Sequence, residues 1–497
     1  MFRKILIANR GEIAVRVIHA LREMNIASVA IFSEVDRRSL HVQMADEAIC
    51  VGPAPSSESY LVKEKIIHAA QQVGAEAIHP GYGFLSENAA FAKACADAHI
   101  KFIGPDHRAI EQMGSKTAAR RVAIAAGAPV VPGTEKGVSD PKAARKIAAE
   151  LGYPVLLKAS AGGGGKGMRR VDREADLAAA MNSASSEAEH AFGSGEVYLE
   201  KLIERPRHIE VQVLGDEHGH LIHLGERECS LQRRHQKVVE ESPSPLMLAK
   251  PELRQQIGEA ALRIARAVNY SNAGTMEFLA DQSGHFYFLE MNTRLQVEHP
   301  VTESVTGIDL VRWQIRIAAG EPLTLKQQDI CWTGSAIECR LYAEDPENNF
   351  FPSAGRLTQY EEPSGPGVRV DGGVYPGWTV PLDYDPLLAK LTVWSDTRTS
   401  AIERMRRAVS EYRVLGIKTN LALFAQLMTD PAWIAGDLDT GFLDRFMQTF
   451  KAAKPGAEAT VASFLAAAQT ATLQPVATQN NEPSSLWRAS GRRGLLR

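Results

Sequence analysis

The stretch from Gly274 to Pro300, GTMEFLADQSGHFYFLEMNTRLQVEHP, constrains this chain more than any other. Its alternation predicts two strands, Gly274–Ala280 and His285–Met291, joined by a short turn carrying Asp281, Ser283 and Gly284. A loop of two or four residues places Glu277 opposite Phe288. Opposite residues, and those two further along, share a face of the sheet, so Glu277, Glu290 and Asn292 project from one side. Arg294 and Glu298 add a cation and a carboxylate within the next few residues. Two carboxylates and an amide oxygen converging on one spot suit a hard divalent cation such as magnesium. The same pattern also fits the wet face of an ordinary antiparallel hairpin, so it needs support from elsewhere in the chain.

Residues 153–168, YPVLLKASAGGGGKGM, supply that support: an apolar strand carrying Lys158, then four consecutive glycines, Lys166 and Gly167. Glycines in series let the backbone approach a ligand closely, and successive N–H groups make a concave anion site. The motif is not a Walker A loop, because Gly165-Lys166 is followed by Gly167 and then by a returning strand, Met168–Val171. A glycine-tipped hairpin folding over phosphates is the reading; the alternative is a flexible loop with no ligand. Ser115 reads as the N-cap of a helix over Lys116–Ala126 closed by Gly127. Lys116 opposes the helix dipole there, so helix stability does not explain it.

Together these features resemble the ATP-grasp enzymes, and the resemblance sharpens to one family. The segments KILIANRGEIAVRVIHALREM (Lys4–Met24), HPGYGFLSEN (His79–Asn88), the glycine loop, EMNTRLQVEHPVTE (Glu290–Glu303) and ECRLYAEDP (Glu338–Pro346) are similar to biotin carboxylase, over about residues 1–446. The resemblance implies that Lys116, Lys158 and the backbone of Gly162, Gly163, Gly164 and Gly165 hold the phosphates of ATP. It places Glu200, Lys201 and Ile203 at the adenine, His208 and Gln232 near the ribose, and His235 on the nucleotide side. Glu277 and Glu290, with Asn292, are implied to hold two magnesium ions, manganese being an admissible substitute. Lys237, Arg294, Gln296, the Val297 backbone and Glu298 are implied to surround bicarbonate, and Tyr82, Arg340 and Asp385 to border the biotin ring. Glu298 is then the general base and Arg340 the group that stabilises an enolate-like biotin. Lys166 stands where the family also uses arginine. In the run ERECSLQRRHQKVVEE (Glu226–Glu241) the flanking charges read as a solvated surface.

The implied fold is α/β: an N-terminal parallel, Rossmann-like domain (1–114), a central ATP-grasp domain (115–332) with a mobile lid near 131–204, and a strand-rich C-terminal α+β domain (333–446). Strand–helix alternation over Ile5–Ala8, Glu12–Met24 and Ser28–Phe32 marks the first of these. Residues 447–497 read as a linker or docking tail, with one short helical stretch over Ala457–Ala467. A net charge of −3 over 497 residues gives no reason to expect nucleic-acid or membrane binding. The N-terminus lacks the apolar length of a signal peptide, and no segment approaches a membrane span. Five scattered cysteines without CxxC spacing fit reduced thiols in a cytoplasmic enzyme. His218, His220 and His223 read as structural.

None of the twelve methionines is followed by lysine, so the biotin-accepting Ala-Met-Lys-Met motif is missing. Biotin is therefore expected on a separate biotin carboxyl carrier protein, and the carboxyltransferase on a further separate subunit. The resemblance also implies a homodimer. The expected setting is acetyl-CoA or another acyl-CoA carboxylase, as in fatty acid biosynthesis. Other readings are the ATP-dependent half of a two-component pyruvate carboxylase, a different ATP-grasp ligase, and a non-catalytic scaffold.

Overall fold

The structure, a computed structural model, describes residues 1–134, 137–138, 140–159, 168–192 and 197–451. The glycine run, Lys166 and the tail helix expected over Ala457–Ala467 lie outside the described residues.

The first strands are short, continuous apolar runs, as expected of a parallel sheet covered on both faces. β1 (Lys4–Ile7), β2 (Ala27–Ser33), β3 (Glu47–Gly52), β4 (Ala77–His79) and β5 (Lys101–Phe102) form a parallel sheet in the order β3-β2-β1-β4-β5. The strand order reverses between β1 and β4, which opens a crevice beyond their carboxyl ends, the usual ligand position in such sheets. Helix α1 (Gly11–Glu23) begins at that crevice and buries Ile13, Val17, Ile18 and Leu21. Asn9 ties the two crevice loops together by donating to the carbonyls of Pro80 and Tyr82, each at 2.7 Å. Gly81 permits this approach, since a Cβ there would lie 2.9 Å from the Asn9 amide.

Helix α2 (Lys116–Ala125) follows, capped by the Ser115 side chain, which accepts from the Ala118 N–H. Gly127 (φ +67°) turns the chain just beyond it. A small antiparallel sheet comes next, of β6 (Val155–Ala159), β7 (Met168–Val171) and β8 (Val197–Lys201) in the order β7-β6-β8. Helices Pro141–Leu151 and Glu174–Phe192 cover it over a separate core that includes Val155, Leu157, Val171, Leu177 and Leu199.

Eight strands make the largest sheet: β9 (Arg207–Gly215), β10 (Leu221–Arg233), β11 (Gln236–Ser242), β12 (Asn272–Ala280), β13 (Phe286–Asn292), β14 (Ser335–Tyr342), β15 (Val368–Gly372) and β16 (Leu387–Ser395). Their order is β13-β12-β9-β10-β11-β14-β16-β15, with every neighbouring pair antiparallel. One sheet thus carries side chains from the Glu277/Glu290 hairpin through to Arg340 and beyond. Helix Glu252–Ala267 packs Ile257, Ala261 and Ile264 into the core formed with Ile209, Val211, Met276 and Phe278. Helix Arg398–Glu411 and Phe424, Trp433 and Phe442 close a further core over β14 and β16. No helix among the described residues is long and apolar enough to cross a membrane.

Two expectations need correction. The β12–β13 turn has five residues, Asp281–His285, not two or four. Asp281 builds it, accepting from the His285 N–H at 2.9 Å and from the Ser283 hydroxyl at 2.6 Å. Phe278, not Glu277, therefore faces Phe288, and an irregularity between Glu277 and Phe278 brings Glu277 directly opposite Glu290. The second concerns Glu226–Glu241. Glu226, Arg227, Glu228, Glu240 and Glu241 are buried, because β10 and β11 lie mid-sheet with both faces covered. Each has a partner: Arg254 for Glu226, Glu210 for Arg227, Arg207 for Glu228, Arg340 for Glu240 and Arg398 for Glu241. The three histidines serve structure: His220 bonds Asp216 at 2.7 Å, His218 the Gly320 carbonyl at 3.1 Å, and His223 is buried against Trp332.

Candidate active site

The crevice of the parallel sheet, the small sheet and the large sheet border one cleft of about 1680 Å³. Lys116, Lys158, Glu200, Lys201, Ile203, His208, Gln232 and His235 line it, as do Lys237, Glu277, Glu290, Asn292, Arg294, Gln296, Val297, Tyr82, Arg340 and Asp385. Glu298 lies just behind this lining, bonded to Lys237 and Arg340. Of the site residues singled out by sequence, only the four glycines cannot be placed, being outside the described residues.

Lys158 and Glu200 are diagonal neighbours on β6 and β8, Lys158 opposite Tyr198 and Glu200 opposite Leu156, with their charged ends 2.5 Å apart. The Lys201 ammonium is turned to the carbonyls of Gly152 and Tyr153, so its stem, not its charge, faces the cleft. His208 sits between Glu277 (3.0 Å) and Gln232 (2.8 Å). His235 and its neighbour Arg234 make the two-residue β10–β11 hairpin turn, both with positive φ, which aims the tip into the cleft.

Glu277 accepts from Lys237 at 2.9 Å and from the Asn292 amide nitrogen at 2.8 Å, and the His208 ring nitrogen lies 3.0 Å from its other oxygen. The Asn292 oxygen instead accepts from Arg294 at 3.1 Å. The amide thus turns its nitrogen, not the expected oxygen, to Glu277, because the carboxylate needs a donor there. The carboxylate oxygens of Glu277 and Glu290, directly opposite each other on β12 and β13, suit magnesium, while the Asn292 oxygen is engaged by Arg294. Glu290 is the half-exposed member, with Lys116 at 3.5 Å. Arg294 is braced by Glu87 (2.8 Å) and Gln296 (2.8 Å).

The deepest part holds alternating charges. Lys237 bonds Glu210, Glu277 and Glu298; Arg340 bonds Glu298 at 2.8 Å and Glu240 at 2.6 Å. Burial would raise the Glu298 carboxyl, but Lys237, Arg340 and Arg227 together hold it well below the usual range. Burial works against the Lys237 ammonium too, yet its three carboxylates hold it well above the usual lysine value. Glu240 goes the other way: burial, only partly opposed by Arg340, lifts it to about 8. Asp385 is likewise raised by burial, against the bond it accepts from the Leu387 N–H at 2.9 Å.

Glu210, Arg227 and Glu240 were not legible as site residues. The pairing that sets Glu210 beside Glu277 (β9–β12) and Glu240 beside Glu338 (β11–β14) joins strands distant in sequence, which alternation alone does not show. Arg227, fully buried, bonds Glu210, Gln212, Thr275 and Thr302 and so roots the cluster in three strands and the helix α3 (His299–Thr306). Arg227→Met is expected to cost about 3–5 kcal/mol, since it leaves Glu210 buried with one cation fewer. Denaturant unfolding measures that loss.

Glu338 offers a test of the sheet electrostatics by pH. Burial raises it to about 7, from the ordinary 4.5. Its proton is held more tightly folded than unfolded, so its contribution is full below about pH 4.5 and lost as pH rises towards 7. Melting temperatures of Glu338→Gln are expected to fall less than those of the parent between these limits.

Against known proteins, the chain matches three family descriptions in succession: "Biotin carboxylase, N-terminal domain" over residues 1–110, "Carbamoyl-phosphate synthase L chain, ATP binding domain" over 115–326 and "Biotin carboxylase C-terminal domain" over 338–445. It is 53% identical over 446 residues to a pyruvate carboxylase subunit of Methanothermobacter thermautotrophicus, covering 90% of each chain. It is 52% identical over 442 residues to biotin carboxylase of a Nostoc species, covering 89% of this chain and 98% of that one. Among solved structures it resembles the biotin carboxylase domain dimer of Hydrogenobacter thermophilus 2-oxoglutarate carboxylase in complex with MgADP, ADP and bicarbonate (TM-score 0.84, 50% identity, 91% and 100% covered). Biotin carboxylase of Campylobacter jejuni in a beta-gamma-ATP complex is similar (TM-score 0.84, 48% identity, 90% and 99% covered).

Proposed function

Because the chain belongs to the biotin carboxylase family, we propose that it carboxylates biotin with bicarbonate at the expense of ATP, through carboxyphosphate. The observation that carries the reading is Glu298, a buried ionised carboxylate between Lys237 and Arg340 at the floor of a cleft that also holds Lys116, Lys158 and the Glu277/Glu290 pair.

ATP would lie with its phosphates along Lys116 and Lys158, its adenine by Glu200, Lys201 and Ile203, and its ribose by His208 and Gln232, with His235 alongside. Magnesium, held by Glu277 and Glu290 with Asn292, would supply charge neutralisation on the phosphates. Lys237, Arg294, Gln296 and the Val297 backbone would hold bicarbonate beside Glu298. Glu298 takes the bicarbonate proton as its oxygen attacks the γ-phosphorus and the bond to the ADP oxygen breaks, giving carboxyphosphate and ADP. The lysines stabilise charge on the phosphoryl group in flight. Carboxyphosphate then splits to carbon dioxide and phosphate. Phosphate takes the N1′ proton of biotin, Arg340 stabilises negative charge on the ureido oxygen, and N1′ captures carbon dioxide. Tyr82 and Asp385 border the ring. The small sheet and its helices act as a lid, because carboxyphosphate must be kept from water.

Residues 1–114, 115–332 and 333–446 serve as the three functional regions, and 447–497 as a linker or docking tail. The biotin is carried by a separate carrier protein, the carboxyl group passes to a separate carboxyltransferase, and two copies of the chain pair in a cytoplasmic assembly. The final acceptor, an acyl-CoA or a keto acid such as pyruvate, is set by that transferase. ADP release by the purified chain with magnesium and ATP tests the reading: bicarbonate dependence and acceleration by free biotin are expected. Turnover indifferent to both would assign a different ligase substrate, and no turnover would leave a scaffold.

A further inference from the structure

Strand β16 delivers a second cation beside Arg340 that the reaction as described does not use. Lys390 is directly opposite Arg340 on β14 and directly opposite Asp371 on β15, so the three side chains stand in a row on one face. Arg340 reaches the Glu298 carboxylate. Lys390, fully buried, reaches the carbonyl of the residue before it, Val297, at 2.9 Å. Two neighbouring strands thus hold two consecutive residues of one turn.

The Lys390 ammonium also meets Glu12 at 3.2 Å and Asp371 at 3.7 Å. Asp371 does not depend on it, because Arg369 grips both Asp371 oxygens at 2.8 Å. Glu12 does depend on it: its one hydrogen-bond partner among the described residues is the Tyr82 hydroxyl. Two of the groups that rely on Lys390 border the cleft, the Val297–Glu298 peptide on one side and Tyr82, through Glu12, on the other, while buried Glu338, also countered by the Lys390 charge, lies outside the lining. Backbone packing makes the junction tight. A Cβ on Gly373, just past β15, would lie 2.6 Å from the Glu12 nitrogen.

We propose that Lys390 is a positioning residue, which by holding the Val297 carbonyl sets the Val297 backbone and Glu298 in place for bicarbonate and by holding Glu12 sets Tyr82 for the biotin ring. The inference rests on the assignment of bicarbonate to this turn. A lysine with no contact to substrate acts here by geometry alone, and misplacement of reacting groups by about 1 Å costs about 10²-fold.

The test is steady-state ADP release by Lys390→Met with bicarbonate, ATP and free biotin varied in turn. The expected result is a loss of about 10²-fold in kcat/KM for bicarbonate, with a raised KM for biotin and a KM for ATP close to that of the parent. A purely structural lysine predicts instead that all three constants worsen together with the melting temperature. Asp371→Asn separates the two further: it removes the other carboxylate of the junction and should lower melting temperature without a selective bicarbonate defect. If Lys390→Met does not fold, the double variant Lys390→Met/Glu12→Gln removes cation and anion together, keeps an acceptor for Tyr82, and should retain the bicarbonate defect. An unchanged kcat/KM for bicarbonate in a folded variant overturns the proposal, as does a uniform loss. Parent enzyme without bicarbonate-dependent turnover would overturn the assignment of the turn itself, a separate outcome.

Discussion

Glu298→Gln is expected to lower both bicarbonate-dependent ATP cleavage and biotin carboxylation by at least about 10²-fold, the usual worth of a general base. Both reactions pass through deprotonation of bicarbonate, so they should fall together. The carboxylate is well placed to be that base: the Lys237 and Arg340 charges overcome the effect of burial and keep it ionised through the neutral range. The same bonds give the substitution a structural cost. One glutamate oxygen accepts from Lys237 at 2.7 Å and the other from Arg340 at 2.8 Å, and an amide cannot accept at both ends. Losing one such charged hydrogen bond costs about 1.5–3 kcal/mol. Rates should therefore be measured well below the melting temperature of the variant. Near-normal ATP cleavage under those conditions would refute the assignment.

Arg340→Ala is expected to separate the two reactions. Removing a single donor to a developing oxyanion costs about 10²–10³-fold in kcat. That loss should fall on biotin carboxylation, where charge appears on the ureido oxygen, and much less on ATP cleavage. Two features of the surroundings make a split readable. Lys237 remains bonded to Glu298 when the guanidinium is gone. Glu240, already lifted to about 8 by burial, stays protonated at neutral pH once its cation is removed, which avoids a second bare charge. Stability should still fall by up to about 3–5 kcal/mol, the cost of breaking a buried ion pair. Equal loss of both reactions, measured as initial rates of ADP release and of carboxybiotin formation, would contradict the role.

The contrast between Glu277 and Glu240 shows what could be read from sequence and what could not. Glu277, Glu290 and Asn292 were legible because alternation puts every second residue of a strand on one face, although a one-residue error in register by itself would separate the two strands' carboxylates. The predicted loop length was wrong, yet the irregularity after Glu277 still leaves the pair facing each other. The orientation of the Asn292 amide was not legible, since it depends on Arg294 and Glu277 competing for its two ends. Glu226–Glu241 misled because charge density suggests solvent. Only knowledge that β10 and β11 lie mid-sheet reveals five buried acidic and basic side chains, each hydrogen-bonded to a partner from 17 to 157 residues away. Lys390 is the extreme case: it lies 93 residues from Val297, and neither local pattern nor composition connects them. Alternation within an element was readable; pairing between distant elements needed the fold.

The central claim is that this cleft fixes bicarbonate on biotin. The most direct measurement is incubation of the purified chain with radiolabelled bicarbonate, ATP, magnesium and free biotin, followed by isolation of acid-labile label on biotin. ATP-dependent transfer of label, absent in Glu298→Gln, is the predicted result. ATP cleavage with no label reaching biotin in the parent enzyme would contradict it.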